Sequence, residues 1–265
     1  MKNYRTWGEP PYKVAVVHGG PGAAGEMAAV ADEISKTVSV LEPLQTAKSV
    51  TGEVEELRQT IENYGHPPLT LIGHSWGAWL AFIVAARYPL PVKKLILVAS
   101  GPFEDKYAAG INEERLNRLS EPDRIEFLKI ADIINDPEGK EKDKALAKLG
   151  MLAAKADTYK AQPQPRHIMP EGPGVSEEVY RGVMPEALEL RASGTLFEMG
   201  RKIECPVVAI HGDYDTHPWE GVKAPLSRVL KVFKFVLLEK CGHEPWVEKY
   251  ARDEFFKVLR EEIAS

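Results

Sequence analysis

The chain has 265 residues, 44% of them apolar and 28% charged. That usage excludes a disordered or collagen-like chain and fits one large domain, or one domain carrying an insert. Lys plus Arg number 34 against 39 Asp plus Glu, a net charge of −5, which argues against a broad nucleic-acid-binding surface.

Residues 1–11 are polar and hold no apolar signal core. The first apolar run, 13–17 (KVAVV), ends in His18-Gly19-Gly20-Pro21-Gly22. A helical pattern over 25–35 leads to a second run, 38–41 (VSVL). The 51–64 stretch reads as a helix and precedes 69–72 (LTLI), which ends in Gly73. Another helix, 76–87, leads to 94–98 (KLILV). Much later come 206–210 (PVVAI), a helix over 224–230, the run 233–238 (FKFVLL) and a last helix over 247–262. The runs are near-continuously apolar, as strands buried on both faces of a parallel sheet are. Strand–helix alternation predicts a doubly wound, mostly parallel α/β sheet of about six strands.

Between 101 and 205 the pattern changes. Glu, Lys, Ala and Leu dominate, with helical periodicity over 112–134, 138–160 and 176–203, and a Pro-rich loop is expected over 162–173. The expected organisation is a core of 1–101 and 205–265 with a helical cap, 102–204, inserted before the penultimate strand. Charged stretches of the insert such as 138–144 (EGKEKDK) read as solvated helix face. No run reaches the roughly 18 uninterrupted apolar residues of a membrane span. Two cysteines are too few for a disulfide scaffold, and a reduced, cytoplasmic setting is expected. The acidic, charged surface fits a monomer or a weak dimer.

The chemistry concentrates at the C-terminal ends of the runs, where open α/β sheets place their sites. Gly73-His74-Ser75-Trp76-Gly77 fits G-x-S-x-G between an apolar strand and a helix. On that sharp turn the serine hydroxyl stands free, and flanking glycines remove Cβ clashes. A serine is a weak nucleophile and requires a base. His243, just after the last run, is the candidate. The carboxylate that orients the base should follow an earlier strand, and His211-Gly212-Asp213-Tyr214-Asp215 offers both Asp213 and Asp215. Acyl transfer also requires donors for an oxyanion. The backbone N–H of Trp76 is one, and Gly20 in the glycine-rich loop is the other, because Pro21 has no N–H.

The motifs HGGPG (18–22), GHSWG (73–77), HGDYD (211–215) and Gly242-His243 resemble those of the α/β-hydrolase superfamily, in particular its prolyl iminopeptidase-like branch. The resemblance covers most of 12–101 and 205–262. It implies Ser75 as nucleophile, His243 as base, Asp215 rather than Asp213 as acid, and Gly20 and Trp76 as the oxyanion hole. The branch carries an Asp-Gln-Arg-Gly segment where this chain reads LEPLQTAKS (41–49). It also has two strands ahead of the HGGPG strand, and residues 1–12 are too few for a full hairpin.

Trp219 and Trp246 flank the catalytic residues in sequence and are candidates for an aromatic substrate pocket. The alternation of His211, Asp213, Asp215 and His217 suggests metal ligands, but acyl transfer by this constellation requires neither metal nor cofactor. His74 reads as a packed, hydrogen-bonded histidine, and His18 and His211 as histidines that hold loop shape. The expected reaction is hydrolysis of a small carboxylic ester or amide through an acyl-enzyme. The alternatives are a prolyl iminopeptidase-like aminopeptidase and a non-catalytic ligand-binding protein. The expected partner is a small acyl or aminoacyl molecule.

Overall fold

The computed structural model describes residues 2–88, 91–136, 138–163 and 174–265. The elements run β1 (Tyr4–Trp7), β2 (Val14–Val17), α1 (Ala28–Ser35), β3 (Val40–Pro43), α2 (Val50–Tyr64), β4 (Leu69–His74), α3 (Trp76–Arg87) and β5 (Val92–Val98). The inserted helices follow: α4 (Ile111–Arg118), α5 (Glu121–Asn135), α6 (Lys142–Asp157), α7 (Glu177–Ala192) and α8 (Thr195–Met199). The chain closes with β6 (Val207–Gly212), α9 (Glu220–Val229), β7 (Phe233–Leu238) and α10 (Arg252–Ala264). Among the described residues no helix is long and apolar enough to cross a membrane.

Among the described residues the sheet has seven strands in the order β1-β3-β2-β4-β5-β6-β7. Every pairing is parallel except β1 with β3. The six strands expected from apolar runs are all present, and β1 is an addition. Its residues are half-exposed, so it produces no apolar run. What docks it is polar. Glu42 of β3 is fully buried and accepts from Arg5 Nε (3.0 Å), Arg5 Nη2 (2.6 Å) and Trp7 Nε1 (2.8 Å). A buried carboxylate without such donors costs several kcal/mol, so the edge strand and Glu42 require one another.

The central strands explain the continuous apolar runs. On β4, Leu69 and Leu71 face a cluster built with α2, α3 and α7, while Ile72 faces the cluster of α1 and α10. Leu95 and Leu97 of β5 split from Ile96 and Val98 in the same way. Side chains alternate along a strand, so burying both faces requires every position to be apolar. α3 is buried on nearly all sides, as its uniformly apolar sequence requires.

In the insert, the single helical pattern over 112–134 is broken at Ser120, whose side chain caps α5 by accepting Asp123 N. Pro122 in the first turn reinforces the new start. The 176–203 pattern breaks at Gly194, whose φ of +74 suits glycine. Of the expected Pro-rich loop, 164–173 lies outside the described residues. α4, α5 and α6 share a small apolar cluster of their own. Cys205 and Cys241 are both free thiols.

Candidate active site

Between β4 and α3 the chain turns at Ser75 with φ 52 and ψ −118. A non-glycine residue held there costs about 1–3 kcal/mol. The turn is pinned on both sides: Ser75 N donates to Val98 O (3.0 Å), and Ala78 N donates to Ser75 O (3.1 Å). The flanking glycines are sterically required. A Cβ on Gly73 would sit 2.2 Å from Gly77 O, and one on Gly77 would sit 2.3 Å from His18 O. Strand, helix and HGGPG loop therefore cross where no side chain fits.

Ser75 opens onto a cavity of about 310 Å³, which Gly20, Trp76 and Trp79 also line. Gly20 adopts φ +37. Its N–H and that of Trp76, the first residue of α3, donate to no backbone or side-chain acceptor among the described residues. The neighbouring Gly19 N–H is spent on Glu26 Oε1 (3.3 Å).

His243 and Asp215 meet as the sequence order anticipates. His243 Nδ1 lies 2.7 Å from Asp215 Oδ2. Asp215 is buried, and its other oxygen, Oδ1, faces both His217 N (2.9 Å) and His217 Nδ1 (3.0 Å). Burial opposes the charge on Asp215, but the facing histidines outweigh it and hold the carboxyl well below its usual range. Burial likewise opposes protonation of His243, and Asp215 overcomes it, so the imidazole is raised above its ordinary 6.5. His217 stacks on His243, centroids 4.4 Å apart. Burial, joined by the charge of His243, pushes His217 down to about 4. Asp213 is exposed and accepts Cys241 N (3.1 Å); it shapes the loop and does not reach the imidazole.

Three further carboxylates, none apparent from the sequence motifs, organise the site. Glu26 pairs with His74 Nδ1, and His74 Nε2 contacts His243 O (3.0 Å). Burial disfavours the Glu26 charge, yet His74 and the other nearby histidines pull it to about 2. Glu53 is fully buried on α2 and accepts Trp76 Nε1 (2.8 Å), while its Oε1 has no partner among the described residues. Burial pushes it up to about 8. Asp157, at the end of α6, accepts Thr216 Oγ1 (2.6 Å) and three bonds from Arg115. Its backbone carbonyl accepts His243 N (3.0 Å), so α6 is fastened directly to the loop that carries His243.

The loop histidines behave as expected. His18 Nε2 accepts Gln45 N (3.1 Å), which leaves Nδ1 to donate to Gly19 O (2.7 Å). Gln45 Nε2 donates to His18 O (2.7 Å). In this chain, the segment that departs from the iminopeptidase pattern braces the HGGPG loop. Trp219 and Trp246 do not line the cavity. Trp246 is buried edge-on against His74 (4.7 Å) and near Phe255, and Trp219 packs on Phe235 (5.9 Å). Tryptophan rings are bulky core material; the indoles that do face the cavity, Trp76 and Trp79, belong to the helix that Ser75 starts. Asp215, His217 and His243 each place one ligand-type atom within 4.8 Å of the others. A cation there would compete for the nitrogens that His217 and His243 turn toward Asp215.

Residues 52–249 match the α/β-hydrolase fold family. The chain belongs to that family. No curated protein matches it. Solved structures with the same architecture include VinJ, 18% identical, TM-score 0.68, covering 98% of this chain and 94% of that one. MenH from S. aureus is 16% identical with a TM-score of 0.66 and covers all of both chains. An α/β fold family hydrolase from Bacillus anthracis str. Sterne is 16% identical, TM-score 0.68, with 97% and 94% covered. At these identities the likeness is one of fold.

Proposed function

We propose that this α/β-hydrolase family member is a serine hydrolase of small carboxylic esters or amides. The observation that carries the reading is His243 Nδ1 at 2.7 Å from the buried Asp215 carboxylate, on the same sheet edge as the strained, cavity-facing Ser75. In this reading Ser75 Oγ attacks the carbonyl carbon and His243 Nε2 takes its proton. Asp215 holds the imidazole with Nε2 free and stabilises the imidazolium that forms. The Gly20 and Trp76 N–H groups receive the oxyanion, each worth about 3 kcal/mol in the transition state. His243 then protonates the leaving group, and water, deprotonated by the same imidazole, releases the acyl group. The inserted helices act as a cap, since α4 and α7 supply cavity wall.

An aminopeptidase would hold a substrate ammonium with carboxylates. Among the described residues the cavity lining contains none, which favours the ester or amide reading. A fluorophosphonate tests the proposal. A single adduct on Ser75, absent from Ser75→Ala, is the expected result. A folded wild-type protein that takes no adduct would instead support a binding role on the same fold.

A further inference from the structure

The cavity before Ser75 contains two guanidinium groups, Arg115 and Arg191, with no carboxylate among its described lining residues. The two arginines are held differently. Arg115 commits Nε and Nη2 to the buried Asp157, so its charge is matched within the protein. Arg191 gives only Nε, to Asp105 Oδ1 at 3.0 Å. Asp105 is 60% exposed while Arg191 is 13% exposed, so solvent screens the acid's compensation. Arg191 Nη1 and Nη2 make no hydrogen bond among the described residues.

Arg191 is also positioned. Tyr180, Met184, Leu188 and Arg191 recur on α7 at steps of one helical turn and line the cavity together. The guanidinium carbon lies 5.8 Å from the Trp79 ring, one helical turn, about 5 Å, beyond the elbow along α3. A planar guanidinium with both Nη groups uncommitted, steadied by an aromatic face, matches a carboxylate bidentately. Met184 and Leu188 line the same cavity and offer methylenes an apolar wall.

We propose that the substrate carries a carboxylate at the far end of its acyl chain and that Arg191 binds it. This rests on the serine-hydrolase reading above and adds a specificity residue to it. It also accounts for a cavity whose described lining presents no acid to an ammonium.

The purified full chain is assayed with three p-nitrophenyl esters of equal chain length: hexanoate, the adipate monoester and 6-aminohexanoate. The kcat/KM for the adipate ester should exceed that for hexanoate by about tenfold or more, with 6-aminohexanoate below both. Arg191→Gln should bring the adipate-to-hexanoate ratio to about one, and Arg191→Lys should retain part of it. A merely structural arginine would depress all three esters together and leave the ratio unchanged. Equal kcat/KM across the wild-type series, or a ratio that Arg191→Gln leaves intact, overturns the anion site while hydrolysis stands. If no ester turns over and the fluorophosphonate leaves Ser75 unlabelled, the hydrolase reading fails. Calorimetry with adipate and hexanoate then decides the anion site separately. Tighter adipate binding that Arg191→Gln abolishes supports it, and equal binding overturns it.

Discussion

Glu53 gives a quantitative test of how dry the region beneath the elbow is. Its side chain is fully buried and, among the described residues, receives one hydrogen bond, from Trp76 Nε1, and leaves Oε1 without a partner. Burial raises it from 4.5 to about 8. At 1.36 kcal/mol per pH unit, its ionisation in the folded protein costs about 5 kcal/mol relative to the unfolded chain. The sign follows from proton binding. Below about pH 4.5 both states hold the proton and stability does not change through this group. Between about 4.5 and 8 the unfolded chain is ionised and the folded one is not, so stability falls as pH rises. Above about 8 the loss is complete. Glu53→Gln keeps an acceptor for Trp76 and cannot ionise. Urea unfolding of both proteins at fixed ionic strength, from about pH 5 to about pH 9, should show wild type losing about 4 kcal/mol relative to the variant. Other titrating groups cancel in that difference. A difference flat to within about 1 kcal/mol would refute the reasoning, because it would mean water or an unrecognised donor already stabilises the Glu53 carboxylate.

Other outcomes follow from the same geometry. Asp215→Asn should lower kcat about 10⁴-fold by misorienting the imidazole, while Asp213→Asn, altering an exposed loop carboxylate, should stay within about tenfold; ester kinetics on both variants decides, and the reverse order would move the acid role to Asp213. Because Asp215 raises His243 above 6.5 and the base must be neutral, the acid limb of kcat/KM for the free enzyme should fall above pH 6.5; a midpoint at or below that value would contradict the pairing. Gly77→Ala would put a Cβ 2.3 Å from His18 O and should destabilise by about 1–3 kcal/mol or more, read as a lower melting temperature together with lost activity. Asp157→Asn should weaken the grip of the insert on the His243 loop and reduce kcat without abolishing fluorophosphonate labelling, and unchanged kcat would show that the Arg115–Asp157 pair only fastens helices.

The family, the parallel sheet and the proposed reactive residues were legible in the sequence because each rests on local pattern. A strand buried on both faces must be apolar at every position, and an elbow crossed by strand, helix and loop must have Gly73 and Gly77. His243 and Asp215 fall just after strands, so chain order alone brings them to one sheet edge. Tertiary contact decided the rest. β1 exists because Arg5 and Trp7 reach Glu42, a pairing across dozens of residues that leaves no apolar run. Trp219 and Trp246 neighbour the site in sequence yet pack away from the cavity, because side-chain direction depends on which surface each ring covers. Glu26, Glu53 and Asp157 look like any surface acid in the sequence; burial beside His74, Trp76 and Arg115 gives them their roles. The charge of the cavity was equally hidden. Arg115 and Arg191 are ordinary helix arginines until α4 and α7 bring them to the cavity beside Ser75, and how far each charge is matched depends on how deeply Asp157 and Asp105 are buried.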